Sequence, residues 1–193
     1  MEKFIAFTGL SASGKSTASK EISQQLSIPY VSIGNIIRSW ANKEGFIGIS
    51  DYFEHYGVKT AFERYRQNLF AQINAYYDNS GVVVDGVYDS QLFSMLCNNV
   101  GKNNILLVSM NPNENERLKR FMLFHKMPPT IATMQMLRRD HPKIIAGVEE
   151  IISQADIIIK DQTINQVIDL ILKEIKAKYD IENMTTIRKT YET

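Results

Sequence analysis

The stretch FIAFTGLSASGKST, Phe4 to Thr17, decides how this chain is read. Phe4-Ile5-Ala6-Phe7 is a continuous apolar run, as suits a strand covered on both faces. Gly9, Gly14, Lys15 and Ser16 then fill the pattern G-x-x-x-x-G-K-[ST], with Thr17 next. Gly9 lets the chain turn off the strand without a Cβ clash. Leu10, Ser11, Ala12 and Ser13 are mostly small, so their N–H groups can converge on one concavity that suits anionic oxygens. A helix opening at Gly14 adds its free N–H groups and the positive end of its dipole. Lys15 is spaced to reach the outer phosphates of a nucleotide, and the Ser16 hydroxyl to ligate Mg²⁺.

Outward from this loop, apolar runs alternate with helical periodicities. Ala18, Ile22 and Leu26 form one face of the helix after the loop. Tyr30-Val31-Ser32 reads as a short strand, and Ile33-Gly34-Asn35 opens a helix through Arg38 and Trp40 that Gly45 and Gly48 break. From Ser50 to Asp78 the pattern is helical, with Ser50-Asp51 and Thr60 as expected caps. Phe62, Tyr65, Leu69, Phe70, Ile73 and Tyr76 make its apolar stripe, read as core, while Arg64 and Arg66 are read as solvated. This block, residues 45–78, lies between the second and third strands and is the expected acceptor-binding insert.

Val82-Val83-Val84-Asp85-Gly86 is a buried strand ending in an acid. Ligands of parallel sheets bind beyond the carboxyl ends of strands. Asp85 is therefore expected beside the phosphate loop, holding Mg²⁺ or accepting the proton of a substrate hydroxyl; an Asp-Gly turn is the plainer alternative. A helix over Ser90 to Val100 and a strand over Asn104 to Met110 follow. Asn113 leads into a helix that Pro128-Pro129 breaks. Further helices are expected over Thr130 to Arg139 and Pro142 to Ser153, then a strand over Asp156 to Lys160 and a last helix capped by Thr163. The alternation predicts a three-layer α/β fold with a mostly parallel five-stranded sheet, one domain over residues 1–180. The tail, 181–193, reads as a loose helix or as disordered.

Arg117, Lys119, Arg120, His125, Lys126, Arg138 and Arg139 cluster between the last two strands. Arginines on a mobile segment can close over phosphates and exclude water, and guanidinium forks match phosphate oxygens. Residues 121–141 are thus the expected lid, with Arg120 and Arg117 its leading phosphate ligands. Arg138 and Arg139 read first as a solvated face. Asp140 is expected to cap the Pro142 helix or to pair locally.

Composition sets the remaining bounds. The chain has 193 residues, 44% of them apolar and 22% charged, with a net charge of +1. The balanced charge offers no surplus for a nucleic-acid backbone or an anionic membrane. A single cysteine, Cys97, excludes an intrachain disulfide and reads as a small buried residue. His55, His125 and His141 are dispersed and form no metal pattern. No run reaches membrane-spanning length, and the first strand leaves no room for a secretory signal, so a cytoplasmic setting is expected.

Up to about Lys178 the chain resembles the P-loop kinases, in the group of nucleoside monophosphate kinases and dephospho-CoA-kinase-like proteins. Ser32-Ile33-Gly34-Asn35-Ile36-Ile37-Arg38 is similar to that family's G-D-hydrophobic-hydrophobic-R segment, with Asn35 in place of the acid; the resemblance implies that Arg38 holds the acceptor's phosphate. Val84-Asp85-Gly86-Val87-Tyr88 resembles the family's D-G strand end, with Tyr88 where many nucleotide kinases carry an arginine. Glu116 to Arg120 looks like the start of the family's lid, and Phe124 stands where a second arginine normally stacks on adenine. Arg139-Asp140, Ala155-Asp156 and Ile159-Lys160-Asp161 are similar to further elements of the dephospho-CoA-kinase-like group, which implies that Asp161 borders the adenine. The sheet order 2-3-1-4-5 is likewise implied. Together these features predict a kinase that uses ATP and Mg²⁺, with Lys15, Asp85, Arg38 and Arg120 as catalytic residues and a nucleotide-like small molecule as acceptor. The alternatives are dephospho-CoA kinase proper and a nucleotide-binding regulatory or interaction module without transfer activity.

Overall fold

The computed structural model describes residues 3–160 and 162–190. Five strands form one sheet: β1 (Phe4–Thr8), β2 (Tyr30–Ser32), β3 (Val82–Asp85), β4 (Ile105–Met110) and β5 (Ile157–Ile159). Every pairing is parallel and the order is β2-β3-β1-β4-β5. The helices are α1 (Lys15–Leu26), α2 (Ile33–Lys43), α3 (Ile49–Tyr56), α4 (Val58–Ser80), α5 (Ser90–Val100), α6 (Glu114–His125), α7 (Pro129–Ile145), α8 (Val148–Ser153) and α9 (Ile164–Thr190). None of the described helices is long and apolar enough to cross a membrane.

The strands are apolar throughout because both faces are covered. Alternation along β1 divides the core in two. Phe4 and Ala6 face a cluster built with α2, α3, α4, α5 and α8, and Ile5 and Phe7 face one built with α1 and α9. Tyr179 on α9 reaches back to β1, its hydroxyl 2.8 Å from the Phe4 carbonyl. The start of α9 carries a capping box: Thr163 N–H donates to Gln166 Oε1 at 3.0 Å, and Gln166 N–H to Thr163 Oγ1 at 3.5 Å.

The structure differs from the sequence reading at several places. Gly48 and Gly57 precede α3 and α4, so Ser50, Asp51 and Thr60 lie inside first turns and not at caps. Phe62, Tyr65, Leu69 and Ile73 are buried as the stripe requires, but Tyr76 is exposed. Arg66 is not solvated: it pairs with Asp89 at 2.7 Å with both side chains largely buried. Asp89 caps α5 through the N–H groups of Gln91 and Leu92. Arg64 pairs with Glu44 at 3.0 Å. Pro142 does not start a helix. It lies inside α7, where its missing N–H withdraws only the bond to the Arg138 carbonyl. The break falls instead at Gly147, whose φ of 94° is in the left-handed region.

Candidate active site

The sheet order leaves β1 between β3 and β4, and the loop after β1 opens at their carboxyl ends. Gly9 leaves β1 with φ 134°, and a Cβ there would run into the Met110 carbonyl oxygen. Ala12 (φ 58°) and Gly14 (φ 91°) are also left-handed, and such reversals turn successive N–H groups to one side as an anion nest. Gly14 caps α1 without a side-chain hydrogen bond, so the first-turn N–H groups have no side-chain partner there. Residues Ser11, Ala12, Ser13, Gly14, Lys15, Ser16 and Thr17 line a cleft of about 820 Å³. Gly9 and Leu10 shape the loop from behind it. Lys15 Nζ rests 2.9 Å from the Leu10 carbonyl oxygen. Burial lowers the Lys15 pKa and Arg117 adds to this, while Asp85 and Asp140 oppose it.

Asp85 ends β3 and is in register with Phe7 and Ser32 on the flanking strands. It is 4% exposed. Tyr30 donates to its Oδ2 at 2.8 Å, and its Oδ1 is buried with no partner among the described residues. Burial, then the Asp85 carboxylate, push the Tyr30 hydroxyl up to about 12. A buried carboxylate oxygen left unpaired in a cleft wants a cation or a donor proton. Ser16, exposed on the same cleft wall, carries the second oxygen that a Mg²⁺ site would use. The residues present therefore fit the expected ion. Among the described residues no cluster of three or more His, Cys, Asp or Glu side chains could hold a metal by itself.

Across the cleft stand Arg38, Tyr88, Phe53, Gln135 and Arg139. Arg38 is exposed and, among the described residues, donates to Asn35 Oδ1 at 2.8 Å. Arg139 Nη1 is 3.0 Å from His125 Nε2, and its guanidinium lies 5.0 Å from the Phe121 ring centre. Desolvation, then the Arg38 charge, weaken the hold of Arg139 on its proton, and Asp140 opposes them. Neither guanidinium pairs with a carboxylate among the described residues. Tyr88 is 6% exposed and packs edge-on against Phe62. Burial, then Asp85 and Asp89, raise its pKa. Arg138 bridges α7 to α3 through Asp51 at 2.9 Å and Glu54 at 2.6 Å.

The α6–α7 hairpin packs on the loop from the remaining side. Arg120 Nη1 donates to the Ser13 carbonyl at 3.2 Å. Arg117 faces away from the cleft; it donates to the Ser11 carbonyl at 3.2 Å and to Asp140 Oδ2 at 2.5 Å. Asp140 Oδ1 accepts the Ser11 N–H at 2.7 Å. Lys143 donates to Ser11 Oγ at 2.5 Å and to Asp140 Oδ1 at 3.1 Å. Burial works to raise the Asp140 pKa, but Lys143, Arg117 and the Ser11 N–H outweigh it and hold the carboxyl below its ordinary value. Every polar group of Ser11 is thus committed to the hairpin. Its amide, expected to face phosphate, faces Asp140, and Asp140 neither caps a Pro142 helix nor confines its partners to its own helix. Phe124 is 82% exposed at the cleft edge. Asp161 lies outside the described residues. Sequence reasoning brought Lys15, Ser16, Asp85, Arg38 and Arg120 to one cleft and missed Asp140 and Lys143. Their i, i+3 spacing was the available signal, hidden by reading Pro142 as a break.

A phosphate loop between β1 and α1, on a parallel sheet of order 2-3-1-4-5, defines a P-loop protein with the three-layer fold of P-loop kinases. The family model described as an AAA domain matches residues 8–138, and the chain belongs to that family. Among solved structures it is similar to a shikimate kinase from Acinetobacter baumannii in complex with shikimate (TM-score 0.60, 16% identity, 93% of this chain and 96% of that one). It is similar also to a gluconokinase from Sinorhizobium meliloti 1021 (TM-score 0.59, 13% identity, 95% and 97%). An uncharacterized protein from Eubacterium ventriosum ATCC 27560 shares the fold as well (TM-score 0.62, 17% identity, 91% and 99%). No curated protein matches the sequence. At these identities the likeness is one of fold, and the narrower kinship with nucleoside monophosphate and dephospho-CoA kinases rests on the sequence motifs alone.

Proposed function

We propose that this protein is an ATP-dependent kinase that transfers the γ-phosphoryl group of ATP to a small, anionic, nucleotide-like acceptor. One observation carries the reading: a single cleft joins the phosphate loop, the unpaired Asp85 oxygen and the guanidiniums of Arg38 and Arg139. The loop amides from Ala12 onward and Lys15 hold the donor polyphosphate. Mg²⁺, when bound at Ser16 and Asp85, neutralises charge on the β- and γ-phosphates. The acceptor oxygen attacks the γ-phosphorus as the bond to the bridging oxygen of ADP breaks. Where Ser16 holds the ion without Asp85, the free Asp85 oxygen instead orients the attacking hydroxyl or takes its proton; in either case Arg120 answers the charge on the moving group. Arg38 and Arg139 grip the acceptor's anionic end.

In this scheme residues 1–180 work as one domain in the cytoplasm, with residues 45–78 as acceptor insert and 121–141 as lid. A second reading takes the acceptor as a small hydroxy acid. It is favoured by the paired guanidiniums, which fit a carboxylate as well as a phosphate, and by the names of two of the fold's relatives.

The test is ADP formation from MgATP with a panel of nucleoside monophosphates, dephospho-CoA and small hydroxy acids. Turnover with one acceptor is the expected outcome, and Lys15→Ala should cut it roughly 1,000-fold. Tight ATP binding with no ADP from any acceptor would leave a binding module and end the kinase reading. A Lys15→Ala variant with wild-type affinity and turnover would end the phosphate-loop assignment itself.

A further inference from the structure

Besides Arg138, which is tied to Asp51 and Glu54, the cleft wall holds a cation that the transfer scheme does not use. Lys143 lies near the end of α7, its ammonium 2.5 Å from Ser11 Oγ and 3.1 Å from Asp140 Oδ1. Its side chain is 15% exposed, and it lines the same cleft as the phosphate loop. Asp140 is its one carboxylate partner among the described residues, and the other Asp140 oxygen is committed to Arg117. The charged groups facing the ammonium are Asp140 on its own helix, Arg117 from α6 and Lys15 at the head of α1. Two cations, Lys143 and Arg117, therefore share the Asp140 carboxylate, and Lys15, whose main counter-charge is Asp85, adds a third beside an anion-binding loop. A partly dehydrated surplus of positive charge is unfavourable until an anion arrives.

We infer that Lys143 is a polyphosphate-binding residue: an ammonium supplied by the lid hairpin that turns from Ser11 and Asp140 to the terminal phosphate when the loop fills. The inference rests on the ATP-donor reading above. Lysine suits the task, since its flexible stem lets a point charge change partners while the Arg117 fork keeps Asp140 in place. Burial, and then the Lys15 charge, bring its pKa down to about 7, with Asp140 opposing. Above that pH Lys143 is mainly neutral in the empty protein. A polyphosphate beside it favours the charged form, so donor binding takes up a proton. The pKa is lower in the free protein than in the complex, so affinity falls as pH rises from about 7 towards the pKa of the complex.

Isothermal titration calorimetry of the full chain at about pH 8, in buffers of differing ionisation heat, reads this directly, with MgATP and with pyrophosphate as probes. At that pH the lysine contributes an uptake of roughly 0.9 proton per donor bound. Wild-type affinity should weaken by up to roughly tenfold per pH unit above about pH 7.5. Lys143→Arg keeps the cation and the fold; it should bind at about pH 7 as the wild type does, yet lose that uptake and that pH slope, because a guanidinium stays charged. Lys143→Met should lose both the uptake and roughly tenfold in affinity at about pH 7. Uptake and slope undiminished in Lys143→Arg would overturn the assignment while leaving the kinase reading intact. A folded wild type that binds neither MgATP nor pyrophosphate would overturn the donor reading and this inference with it.

Discussion

The two halves of the cleft are held in opposite ways. On the donor side, the Ser11 N–H and carbonyl are clamped by Asp140 and Arg117, Lys143 holds its hydroxyl while the loop is empty, and Arg120 holds the Ser13 carbonyl. On the acceptor side, Arg38 hydrogen-bonds Asn35, Arg139 meets a histidine and a phenylalanine ring, and neither pairs with a carboxylate among the described residues. Under the proposed function one donor serves any acceptor, so a fixed frame costs nothing in versatility and would spare ordering entropy when ATP binds. In the proposed scheme Arg38 and Arg139 gain their anionic partner from the acceptor, while Arg138 stays tied to Asp51 and Glu54.

The frame gives the largest expected effect. Asp140→Ala strands the guanidinium of Arg117, a residue 8% exposed, against a carbonyl with no counter-charge. Arginine cannot escape by losing its proton, so the loss should be about 3–5 kcal/mol, a fall in Tm of roughly 6–20 °C for a chain this size. Adding Arg117→Met should recover much of it, since removing both charges is far milder than removing one. Thermal melts of the single and double variants decide the matter. A single variant that melts with the wild type would show that the hairpin is not what fixes the loop.

This contrast also shows what the sequence made legible. The Gly9–Thr17 pattern and the apolar runs at Phe4–Phe7 and Val82–Val84 stated the strands, the loop and the place of Asp85, because local spacing determines each of them. The parallel five-stranded sheet followed from the alternation, and its order from resemblance. The clamp was not legible. Asp140 meets Ser11 across 129 positions and Lys143 meets it across 132. Proline usually breaks a helix, so Pro142 hid the fact that Asp140 and Lys143 share a face. Arg66 was misread for the same physical reason. Its partner Asp89 caps α5, 23 residues away, and no helical periodicity in α4 announces a pairing to the end of another element.

Arg38→Ala tests the acceptor side and should be milder. With the acceptor that supports turnover, kcat/KM should fall about 10- to 100-fold, the worth of a charged hydrogen bond, while ATP affinity stays put. Arg38→Lys should recover only part, since it restores the charge without the fork. An equal loss of ATP affinity would erase the division between the halves, by showing that Arg38 reads the donor.

Tyr30 stands between the two sides and carries the smallest predicted effect. Its phenol crosses from β2 to hold Asp85 Oδ2 at 2.8 Å, which leaves Oδ1 as the oxygen without a partner among the described residues. Tyr30 is half-buried, so water can replace its hydroxyl in Tyr30→Phe and the fold should lose little. The carboxylate, however, would lose the donor that selects one of its two orientations. A net loss of about 1 kcal/mol, the usual worth of such a bond, should appear as a roughly fivefold fall in kcat with KM for ATP unchanged. If only the melting temperature moves and kcat does not, strand register alone aims Asp85, and the phenol is packing.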